Sequence, residues 1–225
     1  MNPFGELQIN DNQDGELVET DSIASPAGAV NFLAIDLNSD GWKDLVVPNP
    51  GAGGLTSYLN DGSNTFDDGT LHLTTNSPTI VIGAEDPVEP RLLALADDGI
   101  IVEVEVEPGI PELNQANSFG GALKGPMAWL DLDCDGDRDL ASFVLEGPAE
   151  ARIRLQIRVS AGTYAITDYV TAHPVSNLSV VDKTGDGKPD LLIGSKTNSG
   201  EGVVSLARNN GDGTFQAEEV IAQRS

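Results

Sequence analysis

Three nine-residue stretches hold the densest oxygen chemistry in this sequence. They are Asp36-Leu37-Asn38-Ser39-Asp40-Gly41-Trp42-Lys43-Asp44, Asp131-Leu132-Asp133-Cys134-Asp135-Gly136-Asp137-Arg138-Asp139 and Asp182-Lys183-Thr184-Gly185-Asp186-Gly187-Lys188-Pro189-Asp190. All three have Asp at positions 1, 5 and 9, Gly at 6 and an oxygen-bearing side chain at 3. Carboxylates this close repel one another unless a cation sits among them. Hard oxygen donors at alternate positions, a glycine for the sharp turn and a backbone carbonyl at position 7 describe a loop that folds around Ca²⁺.

An EF-hand would need a bidentate Glu at position 12 and a helix after it. Position 12 is Val47, Ser142 or Ile193 instead. The flanks are short apolar runs bounded by Gly, Pro and Asn, which read as buried strands. Phe32–Ile35 leads into the first loop and Leu45–Val47 leads out; Leu178–Val181 and Leu191–Ile193 flank the third. Position 9 must then carry the closing carboxylate, and the unit is strand, calcium loop, strand.

The loops begin at residues 36, 131 and 182, at intervals of 95 and 51 residues, so one repeat should lie hidden in the first interval. A second marker recurs with them: Tyr58-Leu59-Asn60-Asp61-Gly62-Ser63-Asn64-Thr65-Phe66 and Ala207-Arg208-Asn209-Asn210-Gly211-Asp212-Gly213-Thr214-Phe215 are the same hairpin-like turn. Leu113–Phe119 and Val159–Tyr164 read as worn versions of it. The hidden repeat is placed at Pro90–Val102, its calcium loop shrunk to the tight turn Asp97-Asp98-Gly99, where no metal is expected. Each repeat reads as four strands. The third is clearest at 151–159, where Ile153, Leu155, Ile157 and Val159 alternate with Arg152, Arg154 and Arg158; the arginines are expected on a solvated outer face. The fourth is expected at Thr214–Ala217. Residues 4–18 read as the last two strands of an earlier repeat, with their turn at Asn10–Gly15. The repeats are set at about 1–27 (partial), 28–78, 79–122 (degenerate), 123–173 and 174–225.

Repeated four-stranded units of about fifty residues are the signature of an all-β protein, a β-propeller of antiparallel blades. The pattern Asp-x-(Asn/Asp)-x-Asp-Gly-x-x-Asp-Leu, with Leu-Asn-Asp-Gly-x-x-x-Phe after it, resembles the FG-GAP/VCBS repeats also seen in integrin α-subunit propellers. The resemblance spans nearly the whole chain, strongly at 30–66 and 177–215 and weakly at 80–120. It implies that each loop joins the first two strands of a blade and binds Ca²⁺, giving about three ions. The implied ligands are Asp36, Asn38, Asp40 and Asp44; Asp131, Asp133, Asp135 and Asp139; and Asp182, Thr184, Asp186 and Asp190. Trp42, Asp137 and Lys188 would add their backbone carbonyls. Thr184 departs from the usual Asp or Asn. More ligand charge should rank affinity second loop, first loop, third loop. Family propellers close with about seven blades, and roughly four and a half are present, so the chain is expected to be part of a larger propeller or multidomain chain.

Composition fits a turn-rich β protein, with 25 Gly and 13 Pro in 225 residues and only 5% aromatics. The formal net charge of −24 argues against nucleic acid and anionic membrane surfaces as partners. No stretch approaches the roughly 18 apolar residues of a membrane-spanning helix, and residues 1–20 lack the regions of a signal peptide. Cys134, the single cysteine, permits no intrachain disulfide and reads as a spacer at loop position 4. His72 and His173 lack metal-type spacing and are expected at surface or turn positions. Asn177-Leu178-Ser179 is a glycosylation sequon in a strand and is expected to be too buried for use. The catalytic motifs His-Glu-x-x-His, Cys-x-x-Cys and Gly-x-Ser-x-Gly do not occur.

These features point to a non-enzymatic, calcium-binding propeller. It is expected outside the cell, secreted or at the cell surface, because such loops fill at millimolar calcium. Its role would be adhesion, recognition of a protein or glycan ligand, or structural scaffolding. The alternative is a carbohydrate-binding module or the accessory propeller of a polysaccharide-degrading enzyme; Trp42 and Trp129 could stack on sugar, although Trp129 lies in a first strand and is expected in core packing instead.

Overall fold

The computed structural model describes residues 5–84, 91–106, 109, 111–120, 123–144, 152–160 and 163–224. Among them every regular element is a strand. Two compact units divide the chain, Met1–Gly121 and Ala122–Ser225.

The first unit opens with a two-stranded hairpin, β1 (Glu6–Gln13) and β2 (Glu16–Ala24). Gln13 pairs with Glu16, so the turn is Asp14-Gly15, both at positive φ (54° and 96°). That is the type I′ geometry, which Asp-Gly adopts at little cost. Strand β1 therefore takes in Asn10–Gln13, and the turn expected over Asn10–Gly15 narrows to its last two residues. Next comes a meander of β3 (Leu33–Ile35), β4 (Asp44–Asn49), β5 (Gly54–Tyr58) and β6 (Thr70–Leu73), then another of β7 (Pro78–Ala84), β8 (Arg91–Ala96), β9 (Ile100–Val106) and β10 (Leu113–Gly120). The second unit holds two more: β11 (Leu123–Leu130), β12 (Asp139–Val144), β13 (Arg152–Ser160), β14 (Thr163–Val170), and β15 (Val175–Val181), β16 (Asp190–Lys196), β17 (Gly202–Ala207), β18 (Glu219–Arg224). All pairings are antiparallel between chain neighbours.

The second strand of a sheet reads as an unbroken apolar run because both of its faces are covered. In β4, Leu45 and Val47 pack with Leu7, Ile23, Ala29 and Tyr58, while Val46 joins Ile35, Leu37 and Leu55 against Val81, Leu92, Ala94, Val102 and Val104. In the second unit Ile153, Leu155 and Ala141 pack with Leu178, Leu191, Ile193 and Ala207. A fully buried side chain such as Leu191 or Ile193 contributes roughly 1.5–3 kcal/mol.

Several sequence expectations shift. Asp97-Asp98-Gly99 joins the second and third strands of its sheet; the first-to-second connection falls at 85–90, outside the described residues. Leu113–Phe119 is strand β10 rather than a worn turn. Thr214–Ala217 belongs to a loop closed by the Asn209–Phe215 bridge, and the fourth strand starts at Glu219. The arginines of β13 are only partly exposed, with Arg152 and Arg154 paired to Asp168 and Arg158 to Asp137; those guanidiniums, Arg154 first, hold the Asp168 carboxyl below the usual range. Asn177 and Ser179 are exposed, only Leu178 between them being buried, because the strand turns alternate residues outward. His72 is half-buried and bonded at both ring nitrogens, to Ser57 Oγ (2.8 Å) and the backbone N–H of Leu113 (3.3 Å).

Candidate metal centre

The three loops each join the first and second strands of a sheet, β3 to β4, β11 to β12 and β15 to β16. They share one hydrogen-bond frame. The position-1 carboxylate accepts the N–H groups of positions 5 and 6: Asp36 from Asp40 and Gly41, Asp131 from Asp135 and Gly136, Asp182 from Asp186 and Gly187, at 2.9–3.2 Å. The position-5 carboxylate accepts the N–H of position 7: Asp40 from Trp42, Asp135 from Asp137, Asp186 from Lys188. Two positions are left-handed. Position 6 is always Gly (φ 92°, 98° and 84°), and position 4 is Ser39 (61°), Cys134 (64°) or Gly185 (76°). Cys134 is thus an exposed spacer in a backbone conformation that L residues seldom take.

The position-9 aspartates stand apart from the rest, for they are buried: Asp44 and Asp139 at 0% exposure and Asp190 at 1%. One oxygen closes the loop by accepting the position-2 N–H, Leu37 to Asp44 (2.8 Å), Leu132 to Asp139 (2.7 Å) and Lys183 to Asp190 (3.0 Å). The other accepts a backbone N–H from the third strand or just after it, Asn60 to Asp44 (2.8 Å), Arg158 to Asp139 (2.7 Å) and Asn209 to Asp190 (2.9 Å). The closing Asp therefore ties three strands together.

This explains why the Asn-Gly turn accompanies the loop in sequence. Asn60 Nδ2 donates to Lys43 O and Asn60 Oδ1 accepts Gly62 N–H; Asn209 repeats both bonds with Pro189 O and Gly211 N–H. The position-7 side chain folds over the turn glycine. A Cβ on Gly62 would stand 2.6 Å from Trp42 Nε1, and one on Gly211 2.9 Å from Lys188 Cε. Sequence reasoning treated turn and loop as separate markers; their fixed co-occurrence was the signal that they form one structure.

The donor chemistry fits a hard cation best at the second loop. Carboxylate oxygens of Asp131, Asp133 and Asp139 lie within 4.8 Å of one another. Burial, with some repulsion from Asp133, pushes the Asp139 carboxyl up to about 6; burial and then the charges of Asp135 and Asp131 raise Asp133. A divalent ion would relieve both effects. Asp135 and Asp137 are exposed, and Asp137 is turned toward Arg158 (3.7 Å). In the first loop Asp36 and Asn38 are half-buried and Asp40 exposed, with Asn38 Nδ2 donating to Asp40 Oδ2 (2.8 Å). Burial raises Asp44 there. In the third, Asp182, Thr184 and Asp186 are exposed. The Lys188 N–H and the Thr184 hydroxyl (3.0 Å) both bond Asp186 and hold its carboxyl below the usual range. Among the described residues, no other set of three acidic or imidazole ligands draws together as the second loop's does.

No family model matches the chain, and no curated protein matches it either. Two solved structures of BBS1N in complex with ARL6DN, one soaked with mercury and one with lead, are similar to it, each with a TM-score of 0.61 and 14% sequence identity over 96% of this chain. The chain spans 60% and 61% of the length of those two. Likeness at that identity speaks for the fold: an all-β chain of repeated, blade-like antiparallel sheets, similar to the β-propeller domain of BBS1N.

Proposed function

We propose that this chain is a calcium-stabilised, non-enzymatic β-propeller module of the FG-GAP/VCBS type. It presents a recognition surface for another macromolecule, outside the cell or at its surface. The observation that carries the reading is the second loop, where three carboxylates converge on a half-buried point and, among the described residues, take their hydrogen bonds from backbone N–H groups. Asp131, Asp133, Asp135 and Asp139 would hold the ion there, with the Asp137 carbonyl; Asp36, Asn38, Asp40, Trp42 and Asp44 would hold a second, and Asp182, Thr184, Asp186, Lys188 and Asp190 a third. Bound calcium neutralises the clustered charge and fixes each first-to-second strand connection. The ligand carboxylates are committed to backbone N–H groups and metal, and Asp137 is turned toward Arg158, which supports a binding role rather than acid–base work. A protein ligand is the favoured class, since the structurally similar BBS1N was solved with a protein partner.

A glycan-binding reading keeps one specific support, the 53% exposure of Trp42 on the first loop. Calorimetric titration with Ca²⁺ and melting in calcium against EDTA test the main reading: about three ions should bind and raise the melting point. An unchanged melting point would sink the calcium role, and saturable binding on a glycan array would favour the sugar reading.

A further inference from the structure

Asn209 links two of the loops, which its counterpart Asn60 is not seen to do. It is 4% exposed, and each polar group of its side chain is engaged. Its Nδ2 donates to Pro189 O in the third loop (3.0 Å) and to Leu132 O in the second (2.8 Å), 77 residues away. Its Oδ1 accepts Gly211 N–H (2.7 Å), and its backbone N–H donates to the closing Asp190 (2.9 Å). Leu132 lies between ligand positions Asp131 and Asp133, and its own N–H is held by the closing Asp139 (2.7 Å). One residue, Leu132, thus joins the closing carboxylate of the second loop, through its N–H, to the residue that positions the closing carboxylate of the third, through its C=O. The turn packs on the second loop as well, since a Cβ on Gly213 would stand 3.6 Å from Asp133 Cβ. Among the described residues, Asn60 bonds only within its own loop and turn, to Lys43 O, Asp44 and Gly62.

We infer that the second and third loops are a thermodynamically coupled pair, with Asn209 as the positioning residue between them, while the first loop binds independently. The inference rests on the calcium reading above. Ordering the Leu132 peptide by calcium at the second loop aligns its carbonyl on Asn209. That fixes Asn209 N–H and Pro189 O around Asp190, so the third loop closes with less order left to acquire. Coupling of this kind is reciprocal: each ion must help the other by the same factor, about 5-fold or more.

The test is calcium calorimetry on the full chain. Disabling the third loop with Asp186→Ala should weaken the second site by the factor by which Asp135→Ala weakens the third, and neither should move the first. Asn209→Asp keeps the acceptor for Gly211 but loses both donors; it should erase the cross-effects, whereas Asn60→Ala should weaken the first site alone. Melting in EDTA checks that each variant folds. Three sites that bind independently in the otherwise unaltered chain would overturn the inference while leaving the calcium reading intact. Absence of calcium binding would overturn both.

Discussion

Replacing Asp190 with Ala separates the scaffold role of the closing aspartate from its role as a ligand. Its carboxylate is buried and accepts three backbone N–H groups, from Asn209 (2.9 Å), Lys183 (3.0 Å) and Thr184 (3.2 Å). Without it, the buried N–H of Asn209 has no acceptor, and an orphaned buried donor costs about 1–3 kcal/mol. Lys183 and Thr184 are exposed and can turn to water, so their loss adds about 1 kcal/mol together. We expect Asp190→Ala to lose about 2–4 kcal/mol in EDTA, where no ion contributes. Asp190→Asn, which keeps one acceptor but points an amide N–H₂ at another donor, should fall between. Asp186→Ala is the control: its carboxylate is exposed and bonds only within its own loop, so the urea midpoint in EDTA should not move measurably. Urea unfolding followed by circular dichroism gives the midpoints, and amide exchange at Asn209 reports the orphaned N–H directly. If the two alanine variants behave alike in EDTA, the closing Asp is only a ligand and the scaffold argument is refuted.

His72 should make the first unit sensitive to acid. Its Nδ1 accepts the Leu113 N–H, which requires a neutral ring with the proton on Nε2, donated to Ser57, and burial lowers its pKa against the opposing charge of Glu112. A lowered histidine pKa means that this stability is complete above about pH 6.5 and is lost as pH falls from there through the lower folded value. Between pH 7.5 and 5 the natural chain should lose about 1 kcal/mol more than His72→Gln; equal slopes of urea midpoint against pH would exclude the effect. Gly62→Ala must bear both a left-handed backbone (φ 84°) and a Cβ 2.6 Å from the Trp42 indole. It should cost about 2 kcal/mol and shift Trp42 fluorescence, while adding Trp42→Ala should leave only about 1 kcal/mol of backbone strain; an unshifted spectrum would contradict the packing.

The strand–loop–strand unit was legible in the chain because its causes are local. Position-6 glycines, carboxylates at alternate positions and apolar runs such as Leu45–Val47 act within a few residues, and so does the alternation of Ile153 and Leu155 with the arginines. Turn chemistry alone did not say which strands a turn joins, so Asp97-Asp98-Gly99 was placed one connection early. Nor did alternation say what covers the polar face, so Arg152, Arg154 and Arg158 looked solvated before Asp168 and Asp137 were found beside them. The partners of buried polar groups were decided by tertiary structure only. Asn209 meets Leu132 across 77 residues, and His72 meets Leu113 across 41. A buried donor must find whatever acceptor the packing of sheets brings near it, and sequence spacing carries no record of that packing.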